Sequence, residues 1–199
     1  MVATRSRLET TKRRQQLVEV GLELFGARPY DEISMDDVAE AAGVSHGLVY
    51  HYFSDKRDLY LAALRFVGEQ LLAATTADLD RPLLERLYQG MGAHLAFAEQ
   101  YAPAYVALMS GGNGSDAEVR ALCEEFRWRG LEEITRSLGV ERPSPRLRIA
   151  LRGWAGFQEG AVLEWLKERG LPRDQLLDLL AQALRDALAS AGVDTQAES

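Results

Sequence analysis

The side chains best suited to do chemistry fall close together, between Ser34 and Lys56, in the stretch SMDDVAEAAGVSHGLVYHYFSDK. Ser34, Ser45, His46, Tyr50, His51 and Lys56 supply hydroxyls, imidazoles and an ammonium, groups that hydrogen-bond phosphate oxygens and base edges. They do not make a catalytic set. His46 and His51 stand five apart, which puts them on different faces of a helix, and no Cys, Asp or Glu completes a metal shell around them. The chain also lacks a glycine-rich phosphate loop, a nucleophile elbow and a paired-carboxylate motif. The expectation is a binding protein, not an enzyme, with no metal and no cofactor.

The elements that must hold these residues can be read from the same stretch. Ser34 and Ser45 are N-cap types ahead of two short helices, and Ser54 or Asp55 precedes a longer one. Ala39 is small where two helices must cross closely, and Gly43 follows the first short helix, where a left-handed backbone costs glycine little. Val38, Ala42, Val44, Val49 and Tyr52 fall where a helix-turn-helix needs apolar contacts between its short helices. A helical corner with no role on DNA would not need all seven. In that frame the second short helix, from Ser45, enters the major groove, with Ser45, His46, Gly47 and Leu48 near base edges. Gly47 allows the backbone to approach closely, and Leu48 either meets a thymine methyl or packs within the head. Tyr50 and His51 reach phosphate oxygens, while Ser34 and Lys56 lie at helix N-termini, which attract phosphate.

GVSHGLVYHYFSDK also resembles the recognition segment of the tetracycline-repressor family, commonly written G-V-S-K-G-T-L-Y-H-Y-F-x-x-K. The close similarity covers about residues 10 to 65; beyond it only helix number and length are similar. The resemblance implies DNA contacts by Tyr50, His51 and Lys56, a homodimer and an effector-binding body. Two positions depart from it: His46 stands where many members have Lys, and Leu48 where Thr is common. Local positive charge is lower as a result.

The rest of the chain reads as all-α, because helical punctuation recurs and no stretch sustains the period-2 alternation of a strand. About nine helices are expected: Leu8 to Ala27, the two short ones, a long fourth through about Thr76, one from Pro82 to Gln100, and a short one from Pro103 to Ser110. After GGNGS, Ser115 and Glu118 form a capping-box signal for a helix ending near Gly139. Two more follow, ending near Gly170 and Ala191. The expected division is a helix-turn-helix domain at 1–55, a helical ligand-binding and dimerisation domain at 56–191, and a polar tail at 192–199.

Composition sets bounds. The 199 residues, 47% hydrophobic and 27% charged, suffice for a sizeable core. No apolar run approaches the roughly 18 residues needed to cross a bilayer, so no membrane role is expected. MVATRSRLETTKRR lacks the apolar stretch of a secretory signal, and a cytoplasmic location is expected. Cys123 is the single cysteine, so no internal disulfide forms. A net charge of -7 argues against indiscriminate polyanion binding, although Arg5, Arg7, Lys12, Arg13 and Arg14 face only Glu9 in the first 14 residues.

The eighth helix carries Gly153, Gly156 and Gly160 in its interior, each unfavourable by about 1 kcal/mol against alanine, which implies a close approach. Its apolar residues form two stripes, and the ninth helix repeats the pattern through Leu176, Leu180, Leu184 and Leu188. Helices apolar over so much of their circumference need two partners, so a homodimer through Gly153, Gly160, Leu176, Leu180 and Leu184 is expected. Helices five to eight also place His94, Phe97, Tyr101, Tyr105, Met109, Cys123, Phe126, Trp154, Phe157 and Gln158 at helical spacing. These types line a hydrophobic effector cavity or an ordinary core equally well. His94, Gln158 and Glu159 are the more pointed, since a polar group on an apolar stripe needs a partner.

The resulting expectation is a regulator binding a double-stranded, palindromic DNA operator as a homodimer, a repressor released by a small hydrophobic effector. The rival is a dimeric DNA-binding protein that senses nothing and docks a protein partner on its body.

Overall fold

The computed structural model describes residues 2–76, 80–111 and 116–193. Its described residues form nine α-helices and one 3-10 turn, with no strand. These are α1 (Val2–Ala27), α2 (Met35–Ala42), α3 (His46–Tyr52), α4 (Lys56–Thr75), α5 (Leu83–Gln100), α6 (Ala102–Gly111), α7 (Ala117–Ser137), α8 (Pro145–Glu168) and α9 (Arg173–Ser190). The 3-10 turn, Tyr30–Glu32, follows Pro29. Among the described residues no helix is long and apolar enough to cross a membrane.

Residue contacts divide the chain into two units: Met1–Glu69 with Pro103–Cys123, and Gln70–Ala102 with Glu124–Ser199. This differs from the expected seam at residue 55, because the first turns of α4, α6 from Pro103 onward and the start of α7 join the head. Two contacts account for it. A Cβ on Gly26 would lie 2.4 Å from the Pro103 Cβ and 2.7 Å from its carbonyl carbon, so α1 meets the start of α6 at a distance only glycine permits. Arg57 in α4 pairs with Asp116 and Glu118 at the start of α7.

The first unit closes over Leu17, Val18, Phe25, Ile33, Met35, Val38, Val49, Phe53 and Leu59. Phe25, Tyr30 and Tyr60 pack as an aromatic nest, with centroids 4.9 to 5.8 Å apart. In the second unit α8 packs on α9, and α5 lies against both. Its core joins Leu83, Leu87, Met91 and Leu95 of α5, Leu147, Leu151, Trp154 and Val162 of α8, and Leu176, Leu180, Leu184 and Leu188 of α9. The Trp154 indole N–H donates to the Leu180 carbonyl at 3.2 Å, which satisfies that buried donor.

The expected capping signal at Ser115 lies outside the described residues, as do the side chains of Arg5 and Arg7 and the tail from Asp194. Asp116 caps α7 instead, its Oδ1 accepting from the backbone N–H groups of Glu118 and Val119.

Candidate nucleic-acid interface

Local chemistry explains why SMDDVAEAAGVSHGLVYHYFSDK folds into two short helices at a sharp angle. Ser34 Oγ accepts from Asp37 N at 3.1 Å, and Asp37 Oδ2 accepts from Ser34 N at 2.7 Å, a reciprocal capping box. The Ser34 hydroxyl and backbone N–H hold the Asp37 pKa down to about 2. Gly43 ends α2 at φ 64°, where its N–H and that of Val44 bind back to the last carbonyls of the helix. Ser45 restarts the chain as α3, its Oγ accepting from Leu48 N at 3.3 Å. Asp55 caps α4 by accepting from Asp58 N at 2.8 Å, and Asp58 in turn accepts from Ser54 N. The choice between Ser54 and Asp55 falls to Asp55.

The seven-residue α3 is anchored through Val49, which is 0% exposed and packs in the core that holds Val38 and Phe53. Its other side faces solvent. Ser45, His46, Gly47, Tyr50 and His51 are exposed and Leu48 is half-buried, so the structure brings the expected base-edge and phosphate residues to one surface. A Cβ on Gly47 would meet nothing within 4 Å; the space beside it is open. The rings of His46 and Tyr50 meet at 4.6 Å between centroids, tilted by 59°, and His46 Nε2 lies 3.3 Å from Asp36 Oδ1.

Several cations around this surface are engaged within the chain. Lys56 Nζ donates to the Tyr30 carbonyl at 2.8 Å and sits 4.2 Å from that ring's centroid. Arg28 pairs with Asp37 at 3.3 Å, Arg13 donates to Gln16, and the Arg14 guanidinium lies over Phe53. One donor of the Lys56 ammonium goes to Tyr30, and its other two N–H groups can still meet a phosphate.

A short capped helix held by one buried valine, with polar side chains along its open side, is the form of a DNA-reading helix-turn-helix. The model of bacterial regulatory proteins of the tetR family matches residues 17–63, and the tetracyclin repressor-like C-terminal domain matches residues 83–185. The chain belongs to the TetR family. It is therefore a DNA-binding transcriptional regulator of a family whose members act as dimers. It is 28% identical over 184 residues to the HTH-type transcriptional activator FasR of Mycolicibacterium smegmatis, covering 87% of this chain and 81% of that protein. A tetR-family transcriptional regulator from Streptomyces coelicolor superposes with a TM-score of 0.78 at 36% identity, over 90% of this chain and 80% of that one. FadR from Bacillus subtilis, solved in complex with stearoyl-CoA, shares the fold at a TM-score of 0.72 and 17% identity, over 88% and 98% of the two chains.

The TetR-type body disposes of the expected dimer residues differently from the sequence reading. Leu176, Leu180 and Leu184 are 2% exposed or less within a single chain, so they hold α9 to its own subunit and cannot face a partner. Leucine periodicity marked burial correctly but not whose surface does the burying. Gly153 and Gly160 are exposed, with nothing within 4 Å of an added Cβ. Ile149, 74% exposed, and Phe157, 44% exposed, share that outward side of α8. Nothing inside the chain explains these glycines.

The expected effector residues are split between the units. Tyr105, half-buried Met109 and Cys123 lie in the first, where Tyr105 is fully buried and the Cys123 thiol donates to the Leu108 carbonyl at 3.2 Å. In the second, Phe97, Phe126, Trp154 and Gln158 are buried, and desolvation pushes the His94 imidazole down to about 4. Two expectations are corrected. Phe157 points outward, and Tyr101, 45% exposed, stacks on Phe97 with its ring at the surface. Gln158 is 7% exposed and its amide hydrogen-bonds no described residue, whereas Glu159 pairs with Arg127 at 2.8 Å.

Sequence reasoning missed a groove of about 650 Å³ at the junction of α7 and α8, lined by Trp128, Leu131, Thr135, Val140 and Leu151, with Arg148 over the Trp128 ring. Trp128 and Arg148 lie 20 positions apart, and neither has a local pattern that pairs it with the other.

Proposed function

We propose that this TetR-family regulator binds a two-fold symmetric operator as a homodimer and is released from it by a small hydrophobic effector. The observation that carries the DNA half is the solvent-facing side of α3, where Ser45, His46, Gly47, Tyr50 and His51 are presented while Val49 anchors the helix. Two such helices read successive major grooves about 34 to 36 Å apart, so the operator has two half-sites one helical turn apart. The open glycine side of α8, flanked by Ile149 and Phe157, supports a subunit contact there in place of the buried leucines.

The effector half rests on Gln158, a polar residue 7% exposed in a unit that also buries Phe97, Phe126 and Trp154 and desolvates the half-buried His94. A ligand with an apolar body and a polar group would satisfy it. The FadR structure holds stearoyl-CoA, which makes a long-chain acyl thioester the first ligand to try. A second reading, activation from the same operator, is favoured by the relative FasR being named an activator.

Selection of bound DNA from a random pool tests the first half: a symmetric enriched site supports it, and an unenriched pool overturns it. Titration of that site with stearoyl-CoA tests the second. Effector-driven loss of binding supports release. A reporter gene behind the operator that falls silent when the protein is deleted supports activation instead.

A further inference from the structure

An acidic residue on the reading side of a DNA-binding head lowers affinity for every sequence, since it repels phosphate. Asp36 is such a residue, with its side chain 81% exposed. The capping box of α2 is already made by Ser34 and Asp37, so Asp36 is not needed to start the helix. Its carboxylate faces one group, the Nε2 of His46, at 3.3 Å. His46 is the first residue of α3, and its ring meets that of Tyr50, one turn further along, at a tilt of 59°. The imidazole is therefore bounded on two sides, by a carboxylate from α2 and by the Tyr50 ring of its own helix.

We infer that Asp36 is a positioning residue for base readout: it holds His46 against Tyr50 so that His46 discriminates at one base pair, at the expense of general affinity for DNA. The inference rests on the reading of α3 as the recognition helix. The other cations near this surface make it the more telling. Arg28 is paired with Asp37, and Lys56 and Arg14 are each held against an aromatic ring. With that charge partly engaged within the chain, discrimination falls more heavily on the positioned side chains of α3.

The test compares wild type, Asp36→Ala, Asp36→Asn and His46→Ala by selection from a random DNA pool, followed by titration of the enriched site and of a scrambled duplex. Asp36→Ala is expected to bind the scrambled duplex a few-fold more tightly, because a negative charge is gone, and to lose about tenfold in preference at one base pair. His46→Ala is expected to lose preference at that same pair, and the double variant to lose no more than His46→Ala alone. Asp36→Asn keeps an oxygen acceptor in place and is expected to retain the preference while gaining general affinity. If Asp36→Ala tightens both duplexes equally and leaves every base preference intact, Asp36 acts as bulk charge and the proposal fails. If Asp36→Ala and His46→Ala lose preference at different pairs, or the double loses the sum, it fails as well. A wild-type protein that enriches no site overturns the recognition-helix reading itself, which separates the two failures.

Discussion

Arg57 and Asp116, 59 positions apart, meet in a two-pronged ion pair, Arg57 Nε to Asp116 Oδ2 at 2.5 Å and Nη2 to Oδ1 at 2.9 Å. The same carboxylate caps α7, and the same guanidinium reaches Glu118 at 2.7 Å. The pair holds the Asp116 carboxyl well below the usual carboxylate range and raises Arg57 above its ordinary value. Arg57 directly follows Lys56, so the pair ties the entry of α4, just after α3, to the entry of α7.

If that tie sets the pose of α4, Arg57→Met and Asp116→Asn should each weaken operator binding a few-fold while barely moving Tm, since solvent screens exposed pairs. Asp116→Asn keeps an oxygen to cap α7. The double variant should be no worse than either single one. Additive losses in operator titrations would show that the two residues act separately.

The contact between Gly26 and Pro103 yields a sharper stability test. Alanine at 26 cannot be seated without moving the backbone of α6, so Gly26→Ala should destabilise by about 1–3 kcal/mol in urea unfolding. Gly47→Ala makes the opposite control. Its space is open, so alanine should leave stability equal or up to ~1 kcal/mol higher while weakening operator affinity, because the added methyl meets DNA. Equal unfolding midpoints for Gly26→Ala and wild type would refute the close approach.

Subunit association separates two sides of one helix pair. Leu184→Ala opens a hole in the subunit's own core and should cost about 2–5 kcal/mol of folding stability. Phe157→Glu lies on the outward side of α8 and should leave the fold intact while shifting the protein from dimer to monomer in light scattering. A dimeric Phe157→Glu variant would move the interface elsewhere.

What the sequence revealed follows from the range of the interactions. The capping of α2 by Ser34, the left-handed turn at Gly43 and the restart at Ser45 each depend on residues within four positions, so a linear reading found them. The same reading placed His46, Gly47, Tyr50 and His51 on the open side of α3. The membership of α6 in the head depends on Gly26 meeting Pro103, and no local pattern records that. Leucines at 176, 180 and 184 announce burial with equal force whether the covering surface is α8 or a second chain. Gly153 and Gly160 carry a different signal, since a residue unfavourable in a helix interior and without a neighbour inside the chain is what a contact from outside would require.

Lys56 and Leu48 are expected to make two different kinds of DNA contact. Lys56→Ala should lower affinity about equally for all sequences and flatten the salt dependence by about one unit, the effect of one lost phosphate contact. Leu48→Ala should leave the salt slope alone and relax preference at one base position. Salt titrations of the two variants check this. An unchanged slope for Lys56→Ala would assign its ammonium wholly to Tyr30.

The last expectation concerns acid. His94 is half-buried, and desolvation lowers its pKa from 6.5 to about 4. The unfolded chain therefore takes up a proton near 6.5 that the folded chain refuses until about pH 4. The neutral ring's contribution is fully present above the unfolded value. As pH falls through 6.5 the unfolded state binds more protons and stability drops, levelling off only near pH 4. The full loss is about 3 kcal/mol. His94→Gln, which has no proton to gain, should flatten that part of the stability profile in urea titrations between pH 7 and 4, whatever its stability at neutral pH. A bound effector should steepen the profile if its contacts are made to the neutral ring, because protonation would then remove binding energy as well. A His94→Gln variant with the wild-type acid slope would place the responsible group elsewhere.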